Sequence, residues 1–111
     1  MDGFLLVADL LNNPENFDDS VVTVVGFFVR RLEHCAIHPS SGETRSLAQS
    51  VWLNNVEMMG GRPRVSRMSG NWVRVTGVFQ NQSGGHRGSF PAVISQITAL
   101  DTHAKHAIFQ R

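Results

Sequence analysis

Tyrosine is absent from the 111 residues, and cysteine occurs once, at Cys35. The first absence removes a residue that often stacks on bases or anchors interfaces. The second excludes a disulfide within the chain, which fits a reducing compartment. Charge is sparse as well: 10 basic and 9 acidic side chains leave a formal net charge of +1. That excludes the strongly basic footprint through which many proteins hold nucleic acid. No apolar run approaches the roughly 20 residues of a membrane-spanning helix. No signal-peptide pattern is visible, since Asp2 stands where a basic region belongs and the apolar run 4–8 stops at Asp9. The Asn81-Gln82-Ser83 triplet therefore carries no weight as a glycosylation acceptor. Also missing are the G-x-S-x-G elbow, the phosphate-binding loop and the dinucleotide fingerprint. The expectation is one cytoplasmic, soluble, non-enzymatic domain spanning 1–111, with no cofactor.

What is present is a repeated strand. Residues 22–28 read V-T-V-V-G-F-F and residues 73–79 read V-R-V-T-G-V-F, so both fit V-x-V-x-G-x-F. Apolar residues at every second position put Val22, Val24 and Phe28 on one face, and Val73, Val75 and Phe79 on another. Gly26 and Gly77 fall on those same inward rows. A glycine there weakens a flat strand, so its expected purpose is a bend or bulge that lets the sheet curl over itself. Two long bent strands predict a small closed barrel.

Around this repeat, Leu6, Leu10 and Leu11 predict a short helix over 7–12, ended by Asn12, Asn13 and Pro14. A turn at 16–20 should tuck Phe17 inward and expose Asp18 and Asp19. Strands are predicted over 21–32, 33–38, 50–54, 72–80 and 90–100. Between them fall a polar turn at 39–46, a long loop at 55–70 and a glycine-rich hairpin loop at 81–88. The uneven spacing of Ile94, Ile97 and Leu100 implies a bulge in the last strand. Residues 101–111, polar apart from Ala104, Ala107, Ile108 and Phe109, are expected either to fray as a mobile tail or to form one helical turn.

One helix and five strands, with the first and fourth long and bent, resemble the OB-fold, a five-stranded Greek-key barrel. The commonest OB version carries its helix between the third and fourth strands. Here the expected helix leads the chain, and the loop 55–70 occupies that place. A closer resemblance rests on L-L-x-N-P-x-x-F-D, V-x-V-x-G-F, W-L, W-V-R-V-x-G-x-F and G-H-x-G-x-F-P-x-x-I. These are carried by Asn13, Pro14, Phe17, Gly26, Trp52, Leu53, Gly77, Gly85, His86, Gly88, Phe90 and Pro91, over about 10–100. The set resembles a group of small bacterial OB-like proteins of unassigned role. It implies a fold and transfers no activity.

Four groups of residues carry possible chemistry. His34, Cys35 and His38 lie close in sequence, and His103 and His106 form a second pair. Structural zinc needs four convergent ligands, whereas strand alternation turns Cys35 away from both nearby histidines. No metal is expected, and Cys35 should be a buried, unreactive thiol. OB barrels bind single strands by stacking bases on the outer face of their middle strands, within a positive groove. Alternation puts Trp52, His34 and His38 on that face, with Arg30, Arg31, Arg62, Arg64 and Arg67 as a rim. The plainer alternative is Trp52 packed under the long loop and arginines that are simply solvated.

Met58 and Met59, beside Val56 and the rim of Arg62, Arg64 and Arg67, suit an adaptable protein-binding surface. The alternative is that both methionines plug the open end of the barrel. In the glycine-rich loop, His86 and Arg87 are either a ligand contact at the barrel mouth or part of a hairpin loop. In the second case Gly84, Gly85 and Gly88 are there for positive φ. The leading expectation is a small binding module that acts through a protein partner, as an inhibitor or immunity-type protein. The alternative is a single-stranded nucleic-acid-binding OB-fold. No membrane contact is expected, and the chain should be a monomer or small homo-oligomer.

Overall fold

The two copies of V-x-V-x-G-x-F pair with each other. The computed structural model describes residues 3–31, 34–41 and 47–103, though not the side chain of His86. Its strands are β1 (Leu5–Leu6), β2 (Ser20–Arg31), β3 (His34–His38), β4 (Val51–Leu53), β5 (Asn71–Gln80) and β6 (Val93–Thr102). β2 and β5 run antiparallel, with Val22 opposite Gly77, Val24 opposite Val75 and Gly26 opposite Val73. The strand order is β1-β2-β3-β4-β6-β5, and β5 pairs back onto β2. Strands β2 to β6 thus close a five-stranded barrel that is antiparallel except where β4 meets β6 in parallel. This is an OB-like Greek-key barrel preceded by a short helix. The two-residue β1, parallel to β2 at Val24 and Val25, was not anticipated.

That leading helix, α1 (Val7–Asn12), falls on the predicted residues. The carboxylate of Asp9 accepts a hydrogen bond from the Leu6 backbone N–H at 2.8 Å, satisfying one of the free donors at its start. The stretch 55–70 departs from expectation. It contains a 3₁₀ turn (Val56–Met58) and a second helix, α2 (Gly61–Met68). Gly60, Gly61 and Pro63 hid this helix from propensity arguments. Pro63 lies in the first turn, where its missing N–H deprives no carbonyl of a partner. Tertiary burial of Val65 and Met68 holds α2 in place. Ser69 Oγ accepts from the Arg30 N–H at 2.8 Å, and the Gly70 N–H donates to the Phe28 carbonyl at 2.8 Å. A helix therefore does stand between the barrel's third and fourth strands, and the difference from the commonest OB arrangement disappears.

The two inward glycines serve different ends. At Gly77 the β5–β6 register shifts, with three residues of β6 set against one of β5 between Thr76 and Val78. Gln96, at φ 50°, lies in that irregularity, which accounts for the uneven spacing of Ile94, Ile97 and Leu100. At Gly26 the pairing with β5 is regular. A Cβ there would stand 2.9 Å from both Ile37 Cβ and Val7 Cγ2, so this glycine provides room for α1 rather than a bulge.

The core fills the barrel with Val22, Val24, Phe28, Ile37, Leu53, Val75, Phe79 and Ile94, and both helices add to it through Val7, Leu10, Val65 and Met68. Phe17 is half-buried against it, while Asp18 and Asp19 are exposed. The last strand starts later than predicted and extends through Thr102, so residues 101 and 102 belong to the barrel and not to a tail. Residues 104–111 lie outside the described residues, as do Leu32, Glu33 and 42–46. No helix among the described residues is long and apolar enough to cross a membrane.

Candidate binding surfaces

The outer face of β3 and β4 is where an OB barrel would stack bases. Trp52 lies opposite Ala36 on that face, as alternation predicted. The face is covered. Phe90, from the connection between β5 and β6, sits 5.3 Å from Trp52 and 5.5 Å from His34 between ring centroids, and is 2% exposed. Reciprocal backbone hydrogen bonds of 3.1 Å between Gly84 and Phe90 hold the connection down. Gly85, at φ 79°, lies so close that a Cβ would stand 2.6 Å from Trp52 Cε3. Gly84 has an ordinary φ; its need is space against the Val93 side chain. Phe90, expected to begin a strand, instead covers the outer face of β3 and β4. Its position after the glycine-rich loop and before Pro91 was the one sequence signal for this.

His38 points outward from the strand but is 1% exposed, so it offers no stacking surface. Its Nδ1 is 2.6 Å from Ser50 Oγ, and its Nε2 is 2.9 Å from His34 Nε2. With ring centroids 5.1 Å apart and planes inclined by 9°, the imidazoles meet edge to edge and not face to face. One Nε2 donates and the other accepts, so the contact holds a single proton. Ser50, missed in the sequence, is fully buried as the third member of this chain. Beside the covered face lies an open cleft of about 250 Å³, whose lining includes Arg31, His34, Trp52, Asn54 and Asn55. Arg30 also borders it, but its Nε and Nη2 both reach Glu57 Oε2, at 2.7 and 2.6 Å, which compensates its charge.

Cys35 lies on the opposite side of β3 from these histidines and is buried. Burial pushes its thiol up to about 12, Glu57 adds to the rise, and Arg30 opposes it. The thiolate is therefore scarce at neutral pH, and thiol reagents need it. Labelling of the native protein should be slow and should accelerate on unfolding; rapid native labelling would refute this assignment. The shift also has a thermodynamic sign. The unfolded thiol ionises near 9.0 and the folded one near 12. Stability that is intact below the first value is lost as pH rises toward the second. Cys35→Ala should lack that alkaline component. Among the described residues, no group of three or more histidine, cysteine, aspartate or glutamate side chains is placed to hold a metal. His106 lies outside the described residues.

The methionine and arginine group divides. Met58 is 79% exposed, whereas Met59 is half-buried against the core. Arg64 is a structural clamp: Nη1 donates to the Met59 carbonyl at 2.7 Å, and Nη2 donates to the Leu100 carbonyl at 2.8 Å. A longer 3.3 Å contact reaches Asp101. Its guanidinium is thus engaged within the chain. Arg62 and Arg67 are exposed on the outward side of α2, together with Pro63 and Ser66. Neither makes an ion pair among the described residues, in contrast with Arg30 and Arg64. Arg87 is exposed at φ 56°, and the side chain of His86 lies outside the described residues. Compared with known proteins, the chain matches no family model and no curated relative.

Proposed function

We propose that this is a small, non-enzymatic binding module that acts through a protein partner, docked on the shoulder of Met58, Arg62 and Arg67. The observation that carries this reading is a contrast between two surfaces. Phe90 fills the face on which an OB barrel would stack bases, while Met58 stands 79% exposed next to the helix bearing two exposed arginines that make no ion pair among the described residues. A flexible thioether is an adaptable apolar anchor, and arginine is enriched where interfaces need a polar rim. An inhibitor or immunity-type protein is the sharpest form of this reading. The single, buried cysteine suits a cytoplasmic setting. In a pull-down from native-host extract, a specific partner should be retained by wild type and lost with Met58→Asp or Arg67→Glu. Retention by both variants would remove the shoulder from the interface.

A second reading, single-stranded nucleic-acid binding, is favoured by the cleft that joins Arg31, His34 and the edge of Trp52. Such binding must release counterions and stack bases. Labelled single-stranded DNA and RNA should bind weakly, with Kd in or above the non-specific range of about 10⁻⁴–10⁻⁶ M. Submicromolar binding at physiological salt, weakened both by added salt and by Trp52→Ala, would reverse the ranking.

A further inference from the structure

The outer face of β5 and β6 belongs to none of these surfaces. Along the seam between the two strands, outward residues stand in three cross-strand rows: Val78 beside Ser95, Thr76 beside Ala99, and Arg74 beside Asp101. On the flanking strand, Val21 lies opposite Val78 and is 71% exposed. The two charges on the seam are opposite in sign and lie in one row, yet they form no ion pair with each other among the described residues. Asp101 has a 3.3 Å contact with Arg64, and its side chain remains 72% exposed.

We propose that this face is a homodimer interface, with a second copy packed on the β5–β6 seam about a two-fold axis running along the strands. Such an axis lays each outward residue of β5 over its own cross-strand neighbour on β6 of the other copy. Arg74 of each copy then meets Asp101 of the other, so the one charged row becomes two reciprocal ion pairs. The same operation sets Thr76 over Ala99 and Val78 over Ser95, matching larger side chains with smaller ones. The charges on the seam cancel, which suits a copy of itself better than a strongly acidic or basic partner. This interface meets α2 at the 3.3 Å contact of Arg64 with Asp101, but it includes none of Met58, Arg62 and Arg67, so the failure of one surface can be told from that of the other.

Sedimentation equilibrium of the full chain, from micromolar to submillimolar concentration, tests it. Wild type should show a reversible monomer–dimer equilibrium that weakens with salt. Arg74→Asp should weaken it about tenfold or more, because two repulsive pairs replace two attractive ones. The double variant Arg74→Asp/Asp101→Arg should restore dimerisation, since the exchanged charges are again complementary under the same axis. Circular dichroism and melting confirm that each variant is folded. If Arg74→Asp does not fold, Ala99→Arg supplies the disruption from an outward position on the same seam. A wild type that stays monomeric overturns the proposal. So does an association unchanged by the disrupting variant or not restored by the charge exchange.

Discussion

Phe90→Ala should destabilise the protein by about 3 kcal/mol, the lower end of the usual cost of deleting a buried phenylalanine ring. The ring is 2% exposed and packs on Trp52 and His34, so its removal forfeits both the burial and the contacts. The lower end applies because Phe90 covers the outside of the barrel and is not part of the main core. Water can enter the space it leaves, and the loop above can settle. The backbone pairing between Gly84 and Phe90 does not depend on the ring and should limit the damage to the loop. Urea denaturation measures the stability change, and a red shift in tryptophan emission would report the uncovering of Trp52. A loss below about 1 kcal/mol, smaller than any such burial predicts, would mean that the connection is not seated on this face. The same variant bears on function. If the covered face is a closed stacking platform, Phe90→Ala should bind oligonucleotides more tightly than wild type. If the ring is only part of the structure, affinity should stay at the weak wild-type level.

Gly77→Val should cost about 1–3 kcal/mol, through overpacking at a position where the backbone itself is the obstacle. A Cβ at Gly77 would stand 2.8 Å from the Ser95 carbonyl oxygen and 2.7 Å from Ile94 Cγ2. The side chain of Ile94 can turn, but the carbonyl belongs to the β5–β6 ladder at its irregular step and cannot move without disturbing the pairing. Gly26→Val should cost a similar amount. There a Cβ would stand 2.9 Å from Ile37 Cβ, which is fixed to the paired strand β3, 2.9 Å from Val7 Cγ2 and 3.2 Å from the His38 carbonyl oxygen, and a shift of α1 relieves only the Val7 contact. Chemical denaturation of both variants measures the two costs. An unchanged midpoint and slope for Gly77→Val would show that the close approach at this step is not required.

The strands were legible in the sequence because their signal is local. Alternation of apolar residues with period two marks β2 and β5 within a few positions, and of the two inward glycines only Gly77 marks an irregular step in the sheet. Helix α1 was legible for the same reason, since the leucines at helical spacing and the stop at Asn12, Asn13 and Pro14 lie within a few residues of one another. Helix α2 was not, because glycine and proline in its first turn argue against a helix, and only the barrel supplies the apolar surface that Val65 and Met68 cover.

Accessibility was settled by tertiary structure. Alternation correctly turned Trp52, His34 and His38 to one face, but it cannot show that a connection distant in sequence lays Phe90 across them. The arginines make the same point. Arg30, Arg62, Arg64 and Arg67 are alike in sequence, yet Arg30 is matched by Glu57, Arg64 is held by two backbone carbonyls, and Arg62 and Arg67 remain exposed. The sequence by itself determined which residues point into the barrel, because that follows from the geometry of a single strand. Which outward residues are open to a partner depended on acceptors and covering rings brought from elsewhere in the chain, and those contacts exist only once the barrel has closed.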